Sequence, residues 1–163
     1  TNPFVEFKKT EIEQSIAARF EQQVAKYGNR VAAKTKDHKL TYDALNRSAN
    51  RLARAILAEE RGKDQPIAVL LQHDACLLAA ILGILKTGGI FVPLDPYFPY
   101  ERNNYILEDS GAVTIVTSEK NRVLADSLSQ NKRRIINIDD IDSTSTAENL
   151  GRPVAPDTIA YVL

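Results

Sequence analysis

The sequence predicts an α/β fold, a doubly wound and mostly parallel sheet with helices on both faces. Two observations carry this. Short, near-continuous apolar runs such as Ile67-Ala68-Val69-Leu70-Leu71 recur through the middle of the chain, as strands covered on both faces require. Between them lie stretches with apolar residues at helical spacing, so strand and helix alternate, and right-handed crossovers then place helices on both sides of the sheet.

Residues 1–14 read as an N-terminal arm, and residues 15–163 as part of one α/β domain. Ser15 is placed to cap a helix whose apolar face is Ile16, Ala17, Phe20 and Val24, with Gly28 as its stop. Val31-Ala32-Ala33-Lys34 and Leu40-Thr41-Tyr42 flank Lys36-Asp37-His38-Lys39, which reads as a short hairpin. A long helix follows from about Asp43 to Glu59, with Leu45, Ala49, Leu52, Ala53, Ile56 and Leu57 on its inner side and Arg47, Arg51 and Arg54 elsewhere.

After the strand at 67–71, Asp74 caps a helix through Leu77, Ile81, Leu82, Ile84 and Leu85, ended by Gly88-Gly89. Ile90-Phe91-Val92 forms the next strand, which Pro93 is expected to stop. Pro99 opens a helix over Glu101 to Asp109 with Tyr105, Ile106 and Leu107 inward, and Gly111 closes it. Val113 to Thr117 is a strand, 119–129 a helix and Arg134 to Ile138 a further strand. Residues 139–157 are polar and read as a surface connection, and Thr158 to Leu163 reads as a last buried strand. An apolar strand with no polar exit gives the chain an unfinished look, because termini usually lie at the surface.

Composition narrows the function. The chain has 163 residues, 44% hydrophobic and 26% charged, the balance of a soluble globular domain. Its 21 basic residues match its 21 acidic ones, which argues against nucleic acid as a partner. The longest apolar run, Ala75 to Leu85, is far shorter than the roughly 18 residues of a membrane span. One cysteine, Cys76, and no secretory leader point to the cytoplasm, so the sequon at Asn46-Arg47-Ser48 reads as chance.

Chemistry-bearing residues are few. No Gly-x-Gly-x-x-Gly occurs, and Gly83-x-x-x-x-Gly88 is followed by Gly89-Ile90 where a phosphate loop needs Lys and Ser or Thr. His73, Asp74 and Cys76 lie together, but the other histidine, His38, is remote in sequence; a helix cap and a small core thiol explain Asp74 and Cys76. In Pro93-Leu94-Asp95-Pro96 two prolines make a rigid elbow at a strand exit. Asp95 there either binds a ligand or, as the favoured reading, serves backbone amides of the following helix and pairs with Arg102. The residues alone thus give an α/β unit with no complete active site, and no catalytic, cofactor-binding or metal residue is assigned.

Two stretches add a resemblance. Leu40-Thr41-Tyr42-Asp43-Ala44-Leu45 with Asn50-Arg51-Leu52-Ala53 resembles the first core motif of nonribosomal peptide synthetase adenylation domains. Leu85-Lys86-Thr87-Gly88-Gly89-Ile90-Phe91-Val92-Pro93-Leu94-Asp95-Pro96 resembles their second, and Pro99, Glu101, Arg102, Tyr105, Leu107, Asp109 and Ser110 continue it. Thr87, Gly89 and Phe91 depart modestly from the usual residues. The wider superfamily includes acyl-CoA ligases and luciferases; the elbow with its downstream Pro and Glu-Arg is more like the peptide synthetase branch.

The resemblance implies an incomplete N-terminal part of a larger adenylate-forming fold, ending just before the family's Ser/Thr/Gly-rich phosphate loop. It implies a parent that uses ATP and Mg²⁺ to activate an amino acid and passes it to the phosphopantetheine thiol of a carrier protein. The two motifs present are scaffold in that family, so the 163-residue chain alone is expected to be inactive. The other readings are a fragment of an acyl-CoA or aryl-acid ligase and a self-sufficient, non-catalytic interaction module. A truncated sheet would also expose an edge through which the chain self-associates.

Overall fold

Local capping sets most of the element boundaries. The computed structural model describes residues 11–35, 39–58 and 64–163. Most of the expected arm, the centre of the expected hairpin turn with His38, and Glu59 lie outside these residues. Ser15 Oγ accepts from the Ala18 amide and starts α1 (Ile16–Tyr27). Strands β1 (Val31–Lys34) and β2 (Lys39–Thr41) pair antiparallel, as the hairpin reading required. Thr41 Oγ1 then caps α2 (Tyr42–Leu57) through the Ala44 amide.

Strand β3 (Pro66–Leu70) leads to α3 (Ala75–Thr87), where Asp74 accepts from the amides of Cys76 and Leu77. Gly88 ends α3 in the left-handed conformation, φ 77°, which glycine adopts without steric cost. Next come β4 (Ile90–Leu94), α4 (Tyr100–Ser110), β5 (Thr114–Thr117), a 3₁₀ turn (Glu119–Asn121), α5 (Arg122–Ser129) and β6 (Arg134–Asn137).

The four central strands are all parallel in the order β4-β3-β5-β6. Their two faces carry separate cores. On one, Ile67, Val69, Val116 and Ile136 pack under Leu52 and Ile56 of α2 and Ala80 and Ile84 of α3. On the other, Ala68, Leu70, Val92 and Ile115 pack under Leu107 of α4 and Ala125 and Leu128 of α5. The sheet is doubly wound. Helices α2 and α3 cross closely at Gly83: a Cβ there would lie 2.9 Å from the Ala49 carbonyl oxygen.

Three expectations need correction. Pro93 does not stop β4; it sits within it, opposite Val69. The Ile90 amide donates to the Gln65 carbonyl while the next amide, Phe91, donates outward to the Ala160 carbonyl. Amides alternate along a strand, so the Pro93 nitrogen faces outward and removes no bond from the β3 ladder. Tyr105 is not inward but 63% exposed, because Asn103 and Leu107, one helical turn apart, define the buried side of α4.

The last correction concerns the terminal strand. It is neither long nor buried: a single parallel bridge joins Tyr161 to Phe91, and Ile159, Tyr161, Val162 and Leu163 are all exposed. The Val162 amide donates to the Phe91 carbonyl at 3.1 Å. The next bond of such a ladder would need an N–H at residue 93, and proline has none. The segment lies at the free edge of β4 with no layer over it.

The connection from β6 to that outer strand runs from one sheet edge to the other across the helical layer. It is strapped to α2: Arg51 Nε donates to the Ser145 carbonyl, Asn50 Nδ2 to Ala147 at 2.8 Å, and Arg54 Nη2 to Glu148 at 2.9 Å. Asn149 Oδ1 accepts from Asn46 Nδ2 at 2.9 Å and Asn50 Nδ2 at 3.0 Å, with Lys86 Nζ at 3.5 Å.

Candidate functional site

Ligands of open parallel sheets bind beyond the C-terminal strand ends, where neighbouring strands send their helices to opposite faces. Here that point lies between β3, which feeds α3, and β5, which feeds α5. The chain's own side chains fill it. The Leu70 carbonyl accepts from Thr117 Oγ1 at 3.2 Å and from Asn121 Nδ2 at 3.1 Å. Lys120 Nζ donates to Gln72 Oε1 at 2.6 Å, and Gln72 Nε2 to the Tyr97 hydroxyl at 3.3 Å. Asp139 accepts from the Glu119 amide, and Asn137 Nδ2 donates to Glu119.

Beside it, a cleft of about 240 Å³ opens between α2, α3 and residues 138–143, walled by Leu40, Leu52, Ala79 and Ile141. Half-buried Cys76 lines it. Burial foremost, then the charges of Asp74 and Asp139, push the Cys76 thiol above its usual range. His73, Asp74 and Cys76 do not form a metal centre; among the described residues no group of three His, Cys, Asp or Glu is placed to hold an ion.

Each candidate from the sequence has a structural position. Asp95 Oδ1 accepts from the Tyr97 amide at 2.8 Å, closing a turn before α4, and the Asp95 carbonyl accepts from buried Asn103 Nδ2 at 2.8 Å. Asp95 thus serves a backbone amide, but one in the turn before α4 and not in the helix that was expected. Arg102 lies over the Phe98 ring at 5.9 Å, and no Asp95–Arg102 ion pair occurs among the described residues. Asn46 is buried in the middle of α2 with its amide on Asn149, which accounts for the sequon without a glycan.

Gly83 serves helix packing, and the Gly88 amide is committed to the Ile84 and Leu85 carbonyls. No backbone cradle for a phosphate therefore exists along 83–88. Along 83–88 the backbone offers no free amides to the phosphates of a nucleotide. What the sequence reading missed is the polar junction on Asn149. Buried Lys86, which also pairs with Glu21 of α1, was the available signal: a lysine at the buried end of an apolar helix needs partners.

A parallel doubly wound sheet with a further segment bridged parallel to β4 defines an α/β scaffold, and comparison with known proteins gives its family. A profile described as AMP-binding enzyme matches residues 20–163, and the chain belongs to that family. Within it, the chain is similar to nonribosomal peptide synthetases. It is 33% identical over 153 residues to tyrocidine synthase 3 of Brevibacillus parabrevis, covering 93% of the chain and 2% of that protein. Against tyrocidine synthase 1 of the same organism it is 34% identical over 150 residues, covering 91% and 14%. The solved nonribosomal peptide synthetase FmoA3, bound to alpha-methyl-L-serine-AMP, superposes with TM-score 0.84 at 26% identity, covering 93% of the chain and 17% of that structure. The chain thus spans a small share of each relative.

Proposed function

We propose that the chain is the front part of an enzyme that activates an amino acid with ATP, giving an aminoacyl-adenylate and pyrophosphate. The enzyme then loads the aminoacyl group onto the phosphopantetheine thiol of a carrier-protein domain in nonribosomal peptide synthesis. The observation that carries this is the AMP-binding family match over 20–163, with tyrocidine synthases among the relatives. ATP, Mg²⁺ and the amino acid are handled by residues other than those described. This segment's part is to build the parallel sheet and hold the outer strand at its edge. The parallel sense of the Tyr161 bridge directs that segment toward the same end of the sheet as β4. The lone thiol of Cys76 suits a reducing cytoplasm.

Amino-acid-dependent ATP–pyrophosphate exchange tests the reading. The full-length protein carrying this segment is expected to exchange with one or a few amino acids, and the 163-residue chain with none. Exchange driven only by aryl or fatty acids would move the assignment to the acyl ligases. Exchange by the short chain would overturn its role as scaffold.

The isolated chain is also proposed to pair with a second copy along its outer edge, where Tyr161, Val162 and Leu163 are exposed. Light scattering is expected to show dimer growing with concentration; a monomer throughout would overturn this.

A further inference from the structure

We infer that Asn149 is a positioning residue: its side-chain oxygen fixes the strap, and through it the register of the outer strand against β4. The proposal rests on the preceding reading only in giving that strand a loop to carry. Three donors from two helices converge on this one oxygen, Asn46 and Asn50 of α2 and Lys86 of α3. The donors are almost wholly buried, at 8%, 0% and 2% exposure, while Asn149 itself belongs to a surface segment. A surface residue is thus an acceptor for interior groups. Asn50 Nδ2 also reaches the Ala147 carbonyl and Lys86 also pairs with Glu21, but among the described residues the buried Asn46 amide donates to Asn149 alone, and such a group is costly to strand.

The consequence runs along the chain. Downstream of Asn149, residues 154–160 pass over Ser15, Ile16, Leu85 and Gly89, and the backbone then meets Phe91. Among the described residues two hydrogen bonds tie the outer strand to the sheet, Phe91 N–H to Ala160 and Val162 N–H to Phe91, and Pro93 forbids the next. Two edge bonds do not specify a register by themselves. The anchor at Asn149 is a hydrogen-bonded side-chain contact with the interior that precedes them, and it limits how much chain remains to reach β4.

The test separates the acceptor from mere bulk. Asn149→Asp keeps an oxygen for all three donors and adds charge opposite Lys86; Asn149→Leu keeps the size and removes the acceptor. Hydrogen exchange is read at the Phe91 amide, which bonds outward, and at Ile90, which bonds inward to Gln65. In Asn149→Leu the Phe91 amide is expected to exchange at least about tenfold faster with Ile90 little changed, and Asn149→Asp to behave as wild type. Equal acceleration at both amides would make Asn149 a general stabiliser and overturn the proposal, as would unchanged exchange at Phe91. Should Asn149→Leu fail to fold, the same ratio is read between Asn149→Asp and Asn149→Ser, whose hydroxyl falls short of the donors.

In the full-length protein, Asn149→Leu is expected to raise the KM for ATP in pyrophosphate exchange several-fold more than it lowers kcat, with Asn149→Asp restoring it. A wild-type protein without exchange activity would sink the functional reading and leave the amide comparison standing. Normal KM beside a loosened Phe91 would show that the strand's register does not reach the nucleotide, overturning the positioning role.

Discussion

Pro93 faces Val69 in the middle of the β3–β4 ladder, and its nitrogen lies on the side away from Val69. A residue that breaks interior strands is harmless to this ladder and decisive for the outer one. Replacing Pro93 by Ala supplies an outward N–H within reach of the Val162 carbonyl. The new amide at residue 93 is expected to be protected from exchange, extending the bridge that now ends at Tyr161. Exchange at the rate of an open peptide would show that something other than the missing donor ends the strand.

The close crossing at Gly83 makes a second expectation. Alanine in a helix interior gains roughly 0.5–1 kcal/mol over glycine. At Gly83 the added methyl would lie 2.9 Å from the Ala49 carbonyl oxygen, a backbone atom that cannot swing aside, and 3.2 Å from Leu52 Cδ2. Overpacking of this kind costs about 1–3 kcal/mol, so packing wins and Gly83→Ala is destabilising. A urea midpoint at or above wild type would contradict the crossing.

Lys86 gives a pH dependence with a definite sign. Burial holds its ammonium below its ordinary value of 10.5, and the hydrogen bond and charge of Glu21 oppose that only in part. Between the lowered folded value and 10.5 the unfolded chain binds more protons, so this group makes stability rise with pH. The difference between wild type and Lys86→Met, followed by urea unfolding through that range, is expected to show the rise. A flat difference would count against the burial.

Glu108 acts at the other end of the scale. Its hydrogen bond and ion pair with Arg133 hold the carboxyl below 4.5, with Lys132 adding a little. The stabilisation is present above 4.5 and is lost as pH falls through the folded value. Glu108→Gln is expected to remove that part of the acid limb and to lower neutral stability by the same small amount, since the carboxylate is exposed although Arg133 is buried.

The fold was readable from the sequence wherever its cause is local. Ser15, Asp74 and Gly88 announce helix ends through their own side chains or lack of one, and the apolar run at 67–71 announces a buried strand. The misplacements occur where the cause is distant. Three adjacent apolar residues, Tyr105 to Leu107, do not give the phase of α4; buried Asn103, a polar residue, does. Pro93 is tolerated because β4 is an edge, which sequence order alone does not reveal. Beside Asn149, the strap is anchored through backbone carbonyls at Ser145, Ala147 and Glu148, and a carbonyl acceptor leaves no mark in the sequence. Of the acidic candidates, Asp74 caps α3 as its position in the sequence indicates, whereas the Asp95 partner, the Tyr97 amide ahead of α4, is set by a turn that helix periodicity does not reveal.

The path of the strap also orders events in time. Strand β4 belongs to the local β3–α3–β4 unit, while the segment that pairs with its free side is made only after β6 at the far edge. Local units close fast and distant pairings slowly, and synthesis from the N-terminus sharpens the difference. Pulse-labelled exchange during refolding is expected to protect the Ile90 amide before the Phe91 amide, although the two are neighbours in one strand. The sheet is then a finished surface when the outer strand arrives, and late errors of docking leave the interior intact.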